Sequence, residues 1–556
     1  MARTIVVTLE NGRKLRCKPY TTAGTILKRS VRPSGMAVLG AMVNNEVSSL
    51  TYPLTTDSSI RFLTIEDSHG ARIYRNSLSF ILAKAISESF PAAEFSIQHS
   101  LGTGLYCSFE LPDGGKNGIT AGQVTRIEAT MRRIIRANLP IERRKLSYSE
   151  GVEYFKKTGQ SEKLGLLAFR NPPRIVIHTC GGFSDLAHTP LAAVTGTLNT
   201  FKLIHYPPGF VLQLPDREEP HRVMAFADQP HLFQIFQEHK EWGRILDVTT
   251  VGRLNEITAN GEISGFIKVA EALHEKKIAA IADRIVSDRK RRIILIAGPS
   301  SAGKTTFAKR LEIQLRVNGL RPHTIGTDNY FVEEDRNPRD ESGNFDFEHI
   351  EAVDIALFNR HLVELLKGRE IELPYFNFET RKREFRGEKM KIEDGQALII
   401  EGIHGLNPRL THMVPEGRKF RIYVSALTQL AIDSNNRIST TDNRLMRRMV
   451  RDSRFRGNSP LTTLQMWPSV RRGEKKWIFP FQGMAHAAFN SALDYELAVL
   501  KPLVEPQLLQ IKASDPEYAE ARRLSAFLSN FLGVADNEVP RTSILREYIG
   551  RSGFKY

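Results

Sequence analysis

Hydrophobic positions change period several times along the chain, and each change marks a different kind of element. Ile5, Val7 and Leu9 alternate with Val6 and Thr8, Asn11-Gly12 supplies a hairpin turn, and Leu15 and Cys17 resume the alternation, which predicts two paired strands. A short helix fits Thr22 to Ser30, a strand fits Met36 to Val43, and Asn44-Asn45 is a second turn. Residues 119–155 read as a long helix with Met131, Ile134 and Ile135 on one face, followed by a short strand and another helix. From Ile263, apolar residues at Ile267, Ala270, Leu273, Ile278, Ile281 and Ile285 keep roughly helical spacing. The period then vanishes: Ile293 to Ala297 is uniformly apolar, as a strand covered on both faces of a parallel sheet should be. Phe307, Leu311 and Leu315 give the next segment a helical apolar face, and His323–Thr327 and Gln396–Glu401 read as two further strands.

Composition narrows the class. The 556 residues suggest three or four folding units, and 41% hydrophobic with 25% charged residues is globular. No apolar run approaches the ~18–20 residues of a membrane span, and the N-terminus lacks an apolar stretch with a cleavage site, so neither a spanning protein nor a secretory signal is expected. Three cysteines, Cys17, Cys107 and Cys180, make no disulfide framework and fit a reducing cytoplasm. The net charge of +16 asks for anionic partners, and residues 437–476, with 11 Lys+Arg against 3 Asp+Glu, hold half of it.

The candidate chemistry follows the uniform strand. Gly298, Pro299, Ser300, Ser301, Ala302, Gly303, Lys304, Thr305 and Thr306 fit G-x-x-x-x-G-K-[ST] between a strand and a helix. Glycines let backbone N–H groups wrap phosphate oxygens and the helix N-terminus adds positive potential, so this loop is expected to hold ATP. Lys304 would reach the β- and γ-phosphates, and the Thr305 hydroxyl would ligate Mg²⁺. A right-handed crossover returns the chain to the same sheet edge at Asp328, where a carboxylate can accept a proton from an attacking hydroxyl; Mg²⁺ outer-sphere or N-cap work are its competing roles. Glu401, at the end of its strand, suits a metal or base role, and His404 just beyond suits packing. Asn443 to Gly457 places Arg444, Arg447, Arg448 and Arg451 at three- and four-residue intervals, a helix able to clamp phosphoryl oxygens or simply a solvated basic face. Arg289-Lys290-Arg291-Arg292 reads as a solvated helix end.

Five segments, GPSSAGKTT, TDNYF, NFDFEHIEAVD from Asn344, LIIEGIHGL and RRMVRDSRFRG, together resemble the uridine kinase and phosphoribulokinase family over about residues 292–460. That resemblance implies Lys304 and Thr305 on ATP and Mg²⁺, Asp328 as the base, Glu401 near the metal, and Arg448, Arg451 and Arg456 closing over phosphates. The segment Phe376 to Arg383, FNFETRKR, stands where uridine kinases carry Y-D-F-x-x-H-x-R, and Asn458 stands where they carry a lid arginine. Tyr330, Phe376, Arg381 and Arg383 are therefore the candidate acceptor-binding residues beside Asp328.

The front half resembles a different family. Residues 1–66 look like the ubiquitin-like (β-grasp) TGS module of threonyl-tRNA synthetases. YRNSLSFILAKAISESFPAAEFSIQHSLGTGLYCSFE from Tyr74 and HTCGGFSDLAHTPLAAVTGTLNTFKLIHYPPGF from His178 resemble their editing domain. The H-x-x-x-H pair of that domain is replaced by Asn76 and Phe80, and Cys180 and His188 stand eight apart instead of four, so the resemblance implies a retained fold without the hydrolytic chemistry. The expectation is a multidomain α/β chain: TGS module 1–66, α+β synthetase-like domain 67–240, helical connector 241–290, and P-loop kinase domain 291–556 with a mainly parallel sheet. Its expected activity is ATP-dependent phosphorylation of a nucleoside 5′-hydroxyl, most of all of uridine or cytidine. A phosphoribulokinase-like sugar-phosphate kinase, with Arg381, Arg383 or Arg386 holding the substrate phosphate, is the nearest alternative. An RNA partner for the front half, whose residues 1–66 and 67–240 carry +5 and +4, is the other.

Overall fold

The computed structural model describes residues 4–30, 35–112, 118–288, 290–341, 343–377 and 380–556. Arg289 of the basic run and Phe378 and Glu379 of the acceptor segment lie outside them.

Alternation in Ile5–Leu9 buries Ile5, Val7 and Leu9, and the strand pairs antiparallel with Lys14–Cys17 and parallel with Ser58–Leu63. Gly40–Val43 and Glu46–Ser48 complete a five-stranded sheet across which Ala23–Arg29 lies, capped by the Thr22 hydroxyl. This is the β-grasp arrangement. The strand expected from Met36 is shorter than read and starts at Gly40.

The second unit packs the long helix Ser68–Ser89 against Ala121–Arg136 and the four-stranded sheet that contains Gly104–Glu110. The helix, short strand and second helix expected over 119–155 are Ala121–Arg136, Glu142–Ser147 and Tyr148–Lys157, the last running two residues further. Asn138, at φ +49°, ends the first of these helices, and Pro140 disfavours helical backbone at the residue before it.

The remainder is built on five parallel strands in the order Pro322–Gly326, Ala397–Glu401, Ile293–Ala297, Lys419–Ser425, Ala487–Asn490. Ile293–Ala297 is central and buried throughout, which is why its sequence shows no alternation. The connector helix Ile263–Val286 contributes Ile267, Ile278 and Ile281 to the same core as Phe307 and Leu311, as do Phe155, Leu166 and Ile177 of the second unit. The units are thus fused through a common apolar core. No helix among the described residues is long and apolar enough to cross a membrane.

Candidate active site

The chain leaves the central strand at Ala297 and enters the phosphate loop through two conformations that demand glycine or strain. A Cβ at Gly298 would lie 2.0 Å from the Val424 carbonyl oxygen, and Gly303 sits at φ +79° with Ile544 2.4 Å from where its Cβ would be. The helix Lys304–Val317 starts directly behind. Lys304 Nζ donates to the Pro299 carbonyl at 3.4 Å and stands 3.9 Å from Glu401 Oε1, while Thr305 Oγ1 donates to Glu401 Oε2 at 3.3 Å. Lys304, Thr305 and Glu401 therefore form one cluster at the carboxyl edge of the sheet. Burial pushes the Glu401 carboxyl up to about 7, Lys304 pulling it down and Asp328 and Glu547 adding to the rise. Asp328, on the turn Thr327–Tyr330, belongs to the same electrostatic group, as does Arg456, whose charge feels it.

The arginine-rich segment forms the helix Thr440–Phe455, capped by Ser439, and it is neither solvated nor detached. Arg444 and Arg447 are fully buried: Arg444 Nε donates to the Ser300 carbonyl at 2.8 Å and its guanidinium pairs with Glu474, while Arg447 pairs with Glu496 at 2.6 Å. Arg448 donates to the Ser300 hydroxyl at 2.9 Å. Arg448, Arg451 and Arg456 converge on one buried carboxylate, Asp452, at 3.1, 2.7 and 3.9 Å. Burial raises that carboxyl, but the three cations, Arg451 first, hold it below its usual range. The helix is tied to the phosphate loop by hydrogen bonds from Arg444, Arg447 and Arg448 to Ser300 and Ser301.

Three acids around the loop escaped sequence reasoning. Glu474 accepts the Ser300 N–H at 3.1 Å, Glu547 accepts the Thr306 N–H at 3.1 Å and its hydroxyl at 2.8 Å, and Glu348 keeps a buried Oε2 without a hydrogen-bond partner. Burial and then Glu474 push Glu348 up to about 7 against the pull of Arg448 and Lys304. Its place in NFDFEHIEAVD was the only available signal, and that segment shows no periodicity that singles out one acid.

The candidate acceptor residues scatter. Tyr330 is fully buried, its hydroxyl 3.0 Å from His361 Nδ1 and its ring against Phe358, so it is a core residue and presents nothing to a ligand. Phe376 is buried edge-on to Phe331, and its N–H donates to Asn329 at 3.4 Å, next to Asp328. Arg381 pairs with Glu334, Arg383 with Asp354 at 2.9 Å, and Arg386 with Glu384 at 2.7 Å. His404 is buried, as a packing residue would be.

A model of the Phosphoribulokinase / Uridine kinase family matches residues 293–498, the span that contains every element of this site. Those residues form a kinase domain of that family. Two solved structures align with it weakly: a fructose transport system kinase from Silicibacter (15% identity, TM-score 0.28, 38% of this chain and 98% of that one) and a possible uridine kinase from Bacillus stearothermophilus (18%, TM-score 0.25, 39% and 98%). The front part has other relatives. Threonine–tRNA ligases from Desulforamulus reducens (28% identical over 261 residues, 44% of this chain and 40% of the relative) and Thermotoga neapolitana (35% over 169 residues, 30% and 26%) match it. The chain spans two fifths or less of these relatives' length.

Where the synthetase-like unit faces the kinase domain, a kinase hairpin, Ala431–Asp433 with Asn436–Arg437, packs over its cleft. Asp433 sits 3.0 Å from His188 Nε2, Asn435 donates to Asp185 at 2.7 Å, and Ser434 accepts the Ile97 N–H at 2.8 Å. Burial raises the Asp433 carboxyl, but the His188 hydrogen bond and the Lys163 charge hold it well below its usual range. Asn76 donates to Thr189 at 2.7 Å, Phe80 packs edge-on to His178, and Cys180 is fully buried. No group of three His, Cys, Asp or Glu side chains among the described residues is placed to hold a metal.

Proposed function

We propose that this protein is an ATP- and Mg²⁺-dependent kinase that phosphorylates the 5′-hydroxyl of a nucleoside, uridine or cytidine first among them. The observation that carries the reading is the gathering of Lys304, Thr305, Glu401 and Asp328 at one edge of the sheet beside the phosphate loop. Lys304 would hold the phosphates of ATP and Arg448, Arg451 and Arg456 would neutralise the charge that spreads over the transferring group. The oxygen donors of Thr305 and Glu401 fit Mg²⁺, a hard cation, which when bound offsets the negative charge of the β- and γ-phosphates. Asp328 would take the proton of the attacking hydroxyl, and the reaction otherwise needs only positioning.

An uncharged acceptor is favoured by the state of the three arginines that a sugar phosphate would require. Arg381, Arg383 and Arg386 each have a carboxylate to themselves, Glu334, Asp354 and Glu384, whereas Arg448, Arg451 and Arg456 share the single Asp452 and keep a net positive charge for phosphate. Assaying uridine, cytidine and ribulose 5-phosphate with ATP tests this: turnover with a nucleoside alone supports it, and turnover with ribulose 5-phosphate alone overturns it. In the productive assay Lys304→Ala is expected to abolish phosphorylation with the fold intact.

The tRNA-ligase relatives favour an RNA role for the front half. The strand Glu142–Ser147 turns Arg143, Arg144 and Lys145 to solvent, as a phosphate-contacting edge would. Gel-shift with tRNA at low salt is the check, where such contacts are strongest.

A further inference from the structure

Between the synthetase-like unit and the kinase domain lies a cavity of about 440 Å³, walled by the helix Ser68–Ser89, the hairpin around Asn436, the start of Thr440–Phe455 and the helix Tyr518–Leu528. Seven arginines line it against two aspartates, Asp185 and Asp442. Several of these cations have acidic partners: Arg72 pairs with Glu520 at 2.9 Å, Arg523 with Asp442 at 2.8 Å, and Arg471 with Glu474 at 2.8 Å. Arg75 and Arg437 do not. Neither forms an ion pair with a described residue, and the Arg437 hydrogen bond, 2.8 Å, goes to the neutral Ser100 hydroxyl. Burial, and after it the charge of Arg75, hold Arg437 down to about 10. Burial and then Arg72 lower Arg75 as well, against the pull of Asp442. The acid that both feel, Asp442, is already paired with Arg523, and two guanidiniums that share one cavity without an ion pair are relieved by an anion able to take bidentate hydrogen bonds.

We propose that this cavity binds a phosphate-bearing small molecule, its phosphate held by Arg75 and Arg437 and its organic body against Phe80, Leu186 and Phe527. The volume lies in the ~300–1,000 Å³ range of small-molecule sites and suits a body of mononucleotide size. The site does not depend on which acceptor the kinase uses. It lies at the ends of two elements that grip the phosphate loop. Asp442 opens the helix whose Arg444 and Arg448 hold Ser300, and Arg471 holds Glu474, which accepts the Ser300 N–H. An anion that draws Arg471 or Arg523 resets these ion pairs, so its binding and that of ATP are coupled in both directions.

The test is calorimetric titration of the full chain with inorganic phosphate and with adenosine 5′-monophosphate. The phosphate loop is saturated throughout by Mg²⁺ and a non-hydrolysable ATP analogue. One saturable site is expected, tighter for the nucleotide than for phosphate. Its affinity should fall at least tenfold in Arg75→Gln and in Arg437→Gln, whose unliganded melting temperatures match the wild type, and should persist in Asp328→Asn. Absence of saturable binding of both probes, binding that survives both arginine substitutions, or binding lost in Asp328→Asn overturns the proposal. Equal affinity for the two probes overturns the part given to Phe80, Leu186 and Phe527.

Discussion

At the scale of single residues, neighbours in sequence have opposite fates. Asp328 and Tyr330 are two positions apart on one short turn, yet Asp328 joins the phosphate-loop acids while Tyr330 is driven into the core by Phe358 and His361. If Asp328 is the proposed base on the acceptor hydroxyl, Asp328→Asn should lower kcat by about 10²–10⁴ while leaving the KM for ATP nearly unchanged; steady-state kinetics in both substrates checks this. Asp494 offers a separate test of burial. Desolvation, and then Glu496, push its carboxyl up to about 7, so the native state keeps a proton that the unfolded chain releases near the usual carboxylate range. Its contribution to stability is complete below about pH 4 and is lost as the pH rises through 7. Asp494→Asn is therefore expected to raise stability by on the order of 2 kcal/mol at pH 8 and by nothing at pH 4, read from urea unfolding at both values.

At the scale of elements, the helix Thr440–Phe455 differs most from its sequence. Its arginine spacing was compatible with a solvated face or a phosphate clamp, and burial of Arg444 and Arg447 removes the first of these. The acids that bury them, Glu474 and Glu496, are 30 and 49 residues away in the chain, so no local pattern could announce them. Asp452 is different in kind: it neutralises three arginines from within the same helix and its immediate flank. Asp452→Ala should cost ~3–5 kcal/mol, since it strands three cations around one buried position, whereas Arg454→Ala on the same helix should cost far less; denaturant titration of both variants distinguishes them. Motif elements were read more closely, because strand, loop and helix carry their signals within a few residues. The helix Lys304–Val317 and the strands on either side of it lie within one or two residues of their expected limits.

For the whole molecule, the cleft of the synthetase-like unit is covered on one side by a kinase hairpin. Asp433 is fully buried there, hydrogen-bonded to His188 and within the field of the Lys163 charge of the synthetase-like unit. Asp433→Ala should destabilise the chain by ~3 kcal/mol and split a single calorimetric transition into two, the front half unfolding apart from the kinase domain. A single unchanged transition would count against the hairpin as the main tie. The charge excess is partly matched at the same scale: from outside residues 437–476, Glu496, Asp340 and Asp216 pair with Arg447, Arg472 and Lys475, and the remainder of the +8 includes Arg437 in the interdomain cavity.

Read alone, the chain already indicated the order of its units and the parallel strand before the phosphate loop, and it singled out Lys304, Thr305, Asp328 and Glu401, which the fold brings to one edge of the sheet. Each follows from steric or electrostatic demands that act over a few residues: glycine where backbone must wrap an anion, an apolar run where both sheet faces are covered, a carboxylate at a strand's carboxyl end. What only the tertiary structure decided is which charges meet. Glu474 reaches Ser300 across 174 residues, Glu547 reaches Thr306 across 241, and Asp433 reaches His188 across 245. Pairing of buried ions is a matter of distance in space and of shared low dielectric, and neither is written in the spacing of residues along the chain.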